Sequence, residues 1–153
     1  MATAAPEGGA QVGLVIVTHG ACGETMLRAA ADIVGPVAAS ASVSVEPSEN
    51  FADIVLRVTE ACNRVDTGAG LLILADVHGS SPFRACMAMA DGSRLVEVVC
   101  GVNLPMLIKL ATCDRRGQPP ITVADVVKEV GKRSIRLGSE LTGNFNAVRV
   151  DPR

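Results

Sequence analysis

Tryptophan and tyrosine are absent from these 153 residues, and phenylalanine occurs only three times. Aliphatic side chains must therefore fill any core, and few rings are available for nucleobases to stack on. Neither charge sign is in excess: 14 Lys and Arg against 16 Asp and Glu leave a formal charge of −2. Lacking both a basic footprint and stacking rings, the chain is not expected to bind nucleic acid. Long apolar runs are missing too, and the longest fall far short of the about 20 residues of a spanning helix, so no membrane insertion is expected. The opening "MATAAPEGGAQ" has neither a charged n-region nor an apolar h-region, so residues 1–11 read as a flexible lead-in and not as a secretory signal. Five cysteines, an odd number with no CxxC pair, point to reduced thiols in a cytoplasmic protein.

What is present is an apolar chain of single-domain size. Hydrophobic residues make up 48% and charged residues 20%, enough to build one core over residues 12–153. Continuous apolar runs alternate with segments of helical period, the pattern of an α/β fold with a parallel sheet. Val12 to Val17 reads as a central strand. After a Thr18-His19-Gly20 turn, a helix turns Met26, Leu27, Ala30, Ile33 and Val34 inward and stops at Gly35-Pro36. Residues 41–45 alternate as a strand, and a helix starting at Ser48 or Asn50 buries Phe51, Ile54, Val55, Val58 and Cys62. Leu71 to Ala75 is a second central strand. Ser81 then Pro82 reads as an N-cap and first helical position, opening a helix with Phe83, Cys86, Met87 and Met89 that ends near Asp91-Gly92. Leu95 to Cys100 makes the fourth strand, and Asn103 caps a short helix through Leu110. Arg115 to Pro120 is a loop, Thr122 opens a helix with Val123, Val126, Val127 and Val130 inward, and "NFNAVRVD" reads as a last strand.

Right-handed crossovers bring every strand-to-helix turn of such a sheet to its carboxyl edge. In a doubly wound order 2-1-3-4, strands one and three are neighbours and their helices leave on opposite faces, opening a crevice where ligands bind. His19 and His78 are the only histidines. His19 follows the first strand and Asp76 the third, so the two turns are expected to meet. Helices starting near Ala21 and Ser81 would aim N–H groups at the same place. An imidazole is a competent nucleophile near neutral pH, and a carboxylate on one ring nitrogen fixes the tautomer that leaves the other free. This is chemistry for holding a phosphoryl group, with His19 as nucleophile and Asp76 orienting it. Gly20, Gly79, Ser80 and Ser81 would line the phosphoryl oxygens.

Three motifs in this order, "VTHG", "LADVHGSSPF" and "GVNLPML", resemble the enzyme IIA component of the mannose/fructose/sorbose class of the bacterial sugar phosphotransferase system, over residues 12–136. The resemblance implies that His19 is phosphorylated, that Asp76 orients it and that Ser81 contacts the phosphate. It implies an HPr-type phosphocarrier as donor and a IIB-type acceptor that passes the group to sugar. It also implies a homodimer exchanging a C-terminal edge strand, for which residues 145–150 are suited. Three positions depart from the family's usual residues: His78 stands for an aromatic, Ser80 for glycine or alanine, and Arg84 for asparagine. His78 and Arg84 are expected at the rim of the site, as gating or partner-selecting positions. No IIB segment follows, so the acceptor is expected on a separate chain.

Other readings use the same atoms. A phosphorylated regulatory protein that binds partners without feeding sugar uptake has the same signature. His19, Cys22, Asp76 and His78 offer ligand types tolerable for zinc, but their spacing matches no strong metal motif, and neither metal nor cofactor is expected. A nucleotide site is disfavoured by the lack of both G-x-G-x-x-G and a P-loop lysine. Cys62, Cys86 and Cys100 read as packing residues, and Cys22 as a small residue in the first turn of a helix.

Overall fold

The first apolar run extends further than its composition indicates. In the computed structural model, which describes residues 9–143, strand β1 covers Gly13–His19, so His19 is the last strand residue and not part of the turn. The extension has a partner: Thr18 and His19 register with Ser44 and Val45 of β2 (Ser40–Val45), and the Gly20 N–H donates to the Val45 carbonyl at 2.9 Å. With β3 (Leu71–Ala75) and β4 (Val96–Cys100) these strands form one parallel sheet in the order β2-β1-β3-β4, as the alternation of elements implies.

Six helices accompany the sheet among the described residues: α1 (Cys22–Val34), α2 (Phe51–Val65), α3 (Ser81–Met87), α4 (Leu104–Thr112), α5 (Pro120–Arg133) and α6 (Gly138–Thr142). Strand alternation divides the core in two. Val15 and Val17 join Val43, Ile73, Ile54, Val58 and Cys86 on the face covered by α2 and α3. Leu14 and Ile16 join Leu72, Leu74, Ala30, Leu107, Leu110 and Val127 on the face covered by α1, α4 and α5. Because α1 and α3 leave on opposite faces, the crevice between β1 and β3 opens at their carboxyl ends.

Several expected details differ. Ile33 and Val34 are exposed, because the buried line of α1 begins at Gly23, ends at Ala30, and Val37 in the following link covers the sheet instead. A Cβ on Gly23 would come within 2.8 Å of Ile16 Cγ2, so glycine is what lets α1 approach β1 there. Phe51 opens α2 at the surface, and on α5 the buried line runs Val123, Ala124, Val127, Gly131, which leaves Val126 outside. Helix α5 starts at Pro120, two residues before Thr122, α3 ends at Met87, and α6 stands where no helix was expected. Within the expected loop, Arg115 is buried and donates to the Val12 and Ala38 carbonyls, pinning that loop to the start of the sheet. Gln11, in the lead-in, bridges Arg116 and donates its N–H to Thr67. The expected strand at 145–150 lies outside the described residues.

Candidate functional site

Asp76 follows β3 directly, and its main chain is fixed by the Gly101 N–H, which donates to the Asp76 carbonyl at 3.2 Å. Its side chain reaches across to the end of β1. Oδ2 accepts the His19 backbone N–H at 2.9 Å and lies 2.9 Å from His19 Nδ1. Oδ1 accepts the Val77 N–H, also at 2.9 Å. Burial pushes the Asp76 carboxyl up, but the His19 N–H, the His19 ring and the Val77 N–H together hold it below its ordinary value. An ionised carboxylate can only accept, so Nδ1 is the nitrogen that donates to it, and in the neutral ring Nε2 keeps the lone pair. The imidazole is the open member of the pair, its side chain 54% exposed against 18% for Asp76.

The turn between β1 and α1 is clamped from beneath. Thr18, fully buried, accepts the Gly23 N–H on Oγ1 at 2.8 Å and donates to the Gly20 carbonyl at 3.3 Å. Its hydroxyl replaces the missing side-chain cap of α1, whose N-cap is Ala21. Sequence reasoning gave Thr18 no capping role, because it lies in β1 and not at the N-cap position from which such hydroxyls are read. Gly20 has φ +52° and Gly79 φ +78°, and a Cβ at either would meet nothing within 4 Å, so their glycines answer to backbone shape and not to crowding.

The α3 cap is Ser80 and not Ser81. Ser80 has extended backbone, accepts the Phe83 N–H on Oγ at 3.3 Å and donates to the Val77 carbonyl at 2.7 Å. That engages the Ser80 hydroxyl in the turn. Ser81 is exposed, and its hydroxyl has no hydrogen-bond partner among the described residues. His78 packs against Phe83 with centroids 5.0 Å apart and the ring planes tilted by 49°, and the Arg84 guanidinium lies 4.9 Å from the Phe51 ring centre. His19, Cys22, Asp76 and His78 do not gather as ligands: among the described residues no group of three or more His, Cys, Asp or Glu is placed to hold a metal ion. Burial pushes the Cys62 thiol up to about 11 and the Cys86 thiol up to about 12, so both stay protonated as packing groups. A cavity of about 760 Å³ lies at the opposite edge beside Gln11, Thr67 and Arg115, and one of about 330 Å³ lies between β4 and α5. Neither is lined by His19 or Asp76.

The chain is similar to known proteins. A family model described as PTS system fructose IIA component matches residues 13–127. The PTS system mannose-specific EIIAB component of Escherichia coli K12 is 32% identical over 98 residues, which are 64% of this chain and 30% of that protein. The chain thus spans under a third of that relative's length. The sorbose-specific EIIA component of Lacticaseibacillus casei is 23% identical over 131 residues, covering 86% of this chain and 94% of the relative. Among solved structures, the mannose/sorbose specific IIA subunit from Enterococcus faecalis superposes with a TM-score of 0.73 at 25% identity, covering 83% of this chain and 94% of that one. The PTS IIA protein associated with the fucose utilization operon of Streptococcus pneumoniae gives a TM-score of 0.76 at 17% identity over 88% and 98% of the two chains, a likeness of fold.

Proposed function

The chain belongs to the PTS system fructose IIA component family, and from that premise we propose that it is a histidine phosphocarrier with His19 as the phosphorylated residue. Membership makes it a component of a sugar phosphotransferase system. The observation that carries the finer reading is the double grip of Asp76 Oδ2 on His19, which holds the ring by Nδ1 and leaves Nε2 without a hydrogen-bond partner among the described residues. Nε2 attacks the phosphorus of a phosphorylated HPr-type donor; the new N–P bond forms as the donor's bond to phosphorus breaks. The ring becomes cationic during transfer, and the Asp76 carboxylate balances that charge. Gly20, Gly79, Ser80 and Ser81 shape the edge that receives the phosphoryl oxygens, with the Ser81 hydroxyl as the uncommitted donor. A IIB-type acceptor then takes the group by the same displacement in reverse order. Among the described residues no helix is long and apolar enough to cross a membrane. We place the exchange with the donor in the cytoplasm.

The protein also works as a homodimer. Strand β4 pairs with β3 on one side only among the described residues, and its other edge faces the groove of about 330 Å³ lined by Glu97, Val99, Ile121 and Lys128. An unpaired strand edge leaves a row of N–H and C=O groups open to another strand, and the alternating segment at 145–150 of a second copy is the one we assign to it.

Incubation with a phosphorylated HPr-type donor tests the reading. One phosphate should be loaded, labile in acid and stable in alkali as expected of phosphorus on nitrogen, absent from His19→Ala and retained in His78→Ala. Full loading of folded His19→Ala would end the assignment.

A further inference from the structure

Helix-to-strand links gather at the amino edge of the sheet, as the turns bearing His19 and Asp76 gather at the carboxyl edge. The cavity of about 760 Å³ is ringed there by the lead-in at Gln11, the links at Ala38 and Thr67, the end of α4 at Thr112 and the loop at Arg115. That is ample for a small molecule, whose sites usually measure about 300–1,000 Å³. Arg115 borders the cavity although it is only 2% exposed. Its terminal nitrogens donate to the Val12 and Ala38 carbonyls, and its buried Nε has no partner among the described residues. No ion pair among those residues includes it. Asp114, its neighbour in the chain, is committed elsewhere: Arg116 donates Nε–H to Oδ1 at 2.8 Å and Nη2–H to Oδ2 at 2.9 Å. Burial pushes the Arg115 guanidinium below its ordinary value, with the Cys113 thiol opposing it. The two carbonyls and the last turn of α4 supply partial negative charge, but no carboxylate meets this cation. A buried charge without a counter-ion is costly.

We propose that this cavity is an anion site, in which Arg115 receives the phosphate or carboxylate group of a small molecule. A planar guanidinium matches either group. Two arginines against one aspartate leave the lining positive, on a chain whose formal charge is −2. The Gln11 side-chain amide, which has no hydrogen-bond partner among the described residues, stands at the same wall and offers a second donor. The anion supplies the full negative charge that the carbonyls cannot. His19 lies at the far end of β1 and takes no part.

Isothermal titration of the full chain with inorganic phosphate, glycerophosphate and succinate tests this, at matched ionic strength with chloride as the reference. At least one probe should bind saturably, one per chain. Which probe binds tells phosphate from carboxylate, and a free ion from a group on an organic body. Arg115→Met removes the charge and should weaken binding at least about tenfold. Ala38→Trp should weaken it as much, because it adds bulk at the wall while leaving the Ala38 carbonyl in place. This second variant decides the matter if Arg115→Met does not fold. Alkylation reads the location, since Cys113 borders the cavity whereas Cys22 is exposed at the carboxyl edge. Bound probe should slow iodoacetamide at Cys113 at least about threefold and leave Cys22 unaffected. Absence of saturable binding by all three probes would overturn the site. So would wild-type affinity in Ala38→Trp or in folded Arg115→Met, or protection of Cys22 in place of Cys113.

Discussion

Two carboxyl oxygens of one residue make the contacts on which the site depends. Asp76 holds the main chain and the ring of His19 with Oδ2 and anchors its own turn through Val77 with Oδ1. Asparagine fits the same space, but its amide is able to present N–H to Nδ1, which would force the other tautomer and remove the balancing charge. Asp76→Asn should therefore load phosphate at least about a hundredfold more slowly, with the circular dichroism of the native protein retained. Loading at the wild-type rate would exclude the orienting role. The same contacts set an acid response. A carboxyl held below its ordinary value stabilises the fold above its unfolded value of about 3.9 and loses that contribution as pH falls through the lower folded value. Wild type should lose stability below about pH 4, and Asp76→Asn should lose less over the same interval in urea titrations at pH 7 and pH 3.

At the scale of elements, the decisive feature is how the helices that follow β1 and β3 are started. Thr18 caps α1 from inside the core, and Ser80 caps α3 from the turn. Thr18→Val keeps the shape but leaves the Gly23 N–H without its acceptor, an uncapping worth about 1 kcal/mol. Because the clamp spans His19, loading should also slow several-fold, and Thr18→Ser should restore most of both losses. Urea denaturation beside loading kinetics distinguishes a cap from a positioning clamp: a Thr18→Val protein that is less stable yet loads normally would confine Thr18 to the first role.

Among the described residues the molecule is a sheet with the proposed site at one end and unpaired outer edges on β2 and β4. The core itself is dense and aliphatic, so a truncation such as Leu72→Ala, at a fully buried position shared by β3 and its neighbours, should cost about 2–5 kcal/mol without touching the site. The outer edge of β4 is where we propose that a second copy assembles. If a partner's tail fills the edge of β4, removing residues 144–153 should turn a dimer into a monomer or an aggregate on sedimentation. An intact chain that sediments as a monomer at micromolar concentration would contradict the exchange.

The sequence by itself determined the four strands, the five helices that follow them in order, and the edge on which they place the proposed site, but not α6. Apolar runs such as Leu71 to Ala75 are buried on both faces, so their composition alone marks central strands, and the handedness of crossovers follows from chain chirality. Those two facts were enough to set His19 beside Asp76. What depended on neighbours distant in the chain was decided only in three dimensions. Consecutive serines are equally able to cap, and the extended backbone of Ser80, fixed by its turn, chose between them. Ile33 and Val34 fit the helical period, yet Val37 had already covered the sheet at that end. Phe51 reads as a core residue until Arg84 arrives from another helix to cover it, and Arg115 reads as a loop cation until two carbonyls at the start of the sheet accept its donors. Periodicity is a local quantity, whereas burial is settled by whichever segment of the folded chain reaches a surface.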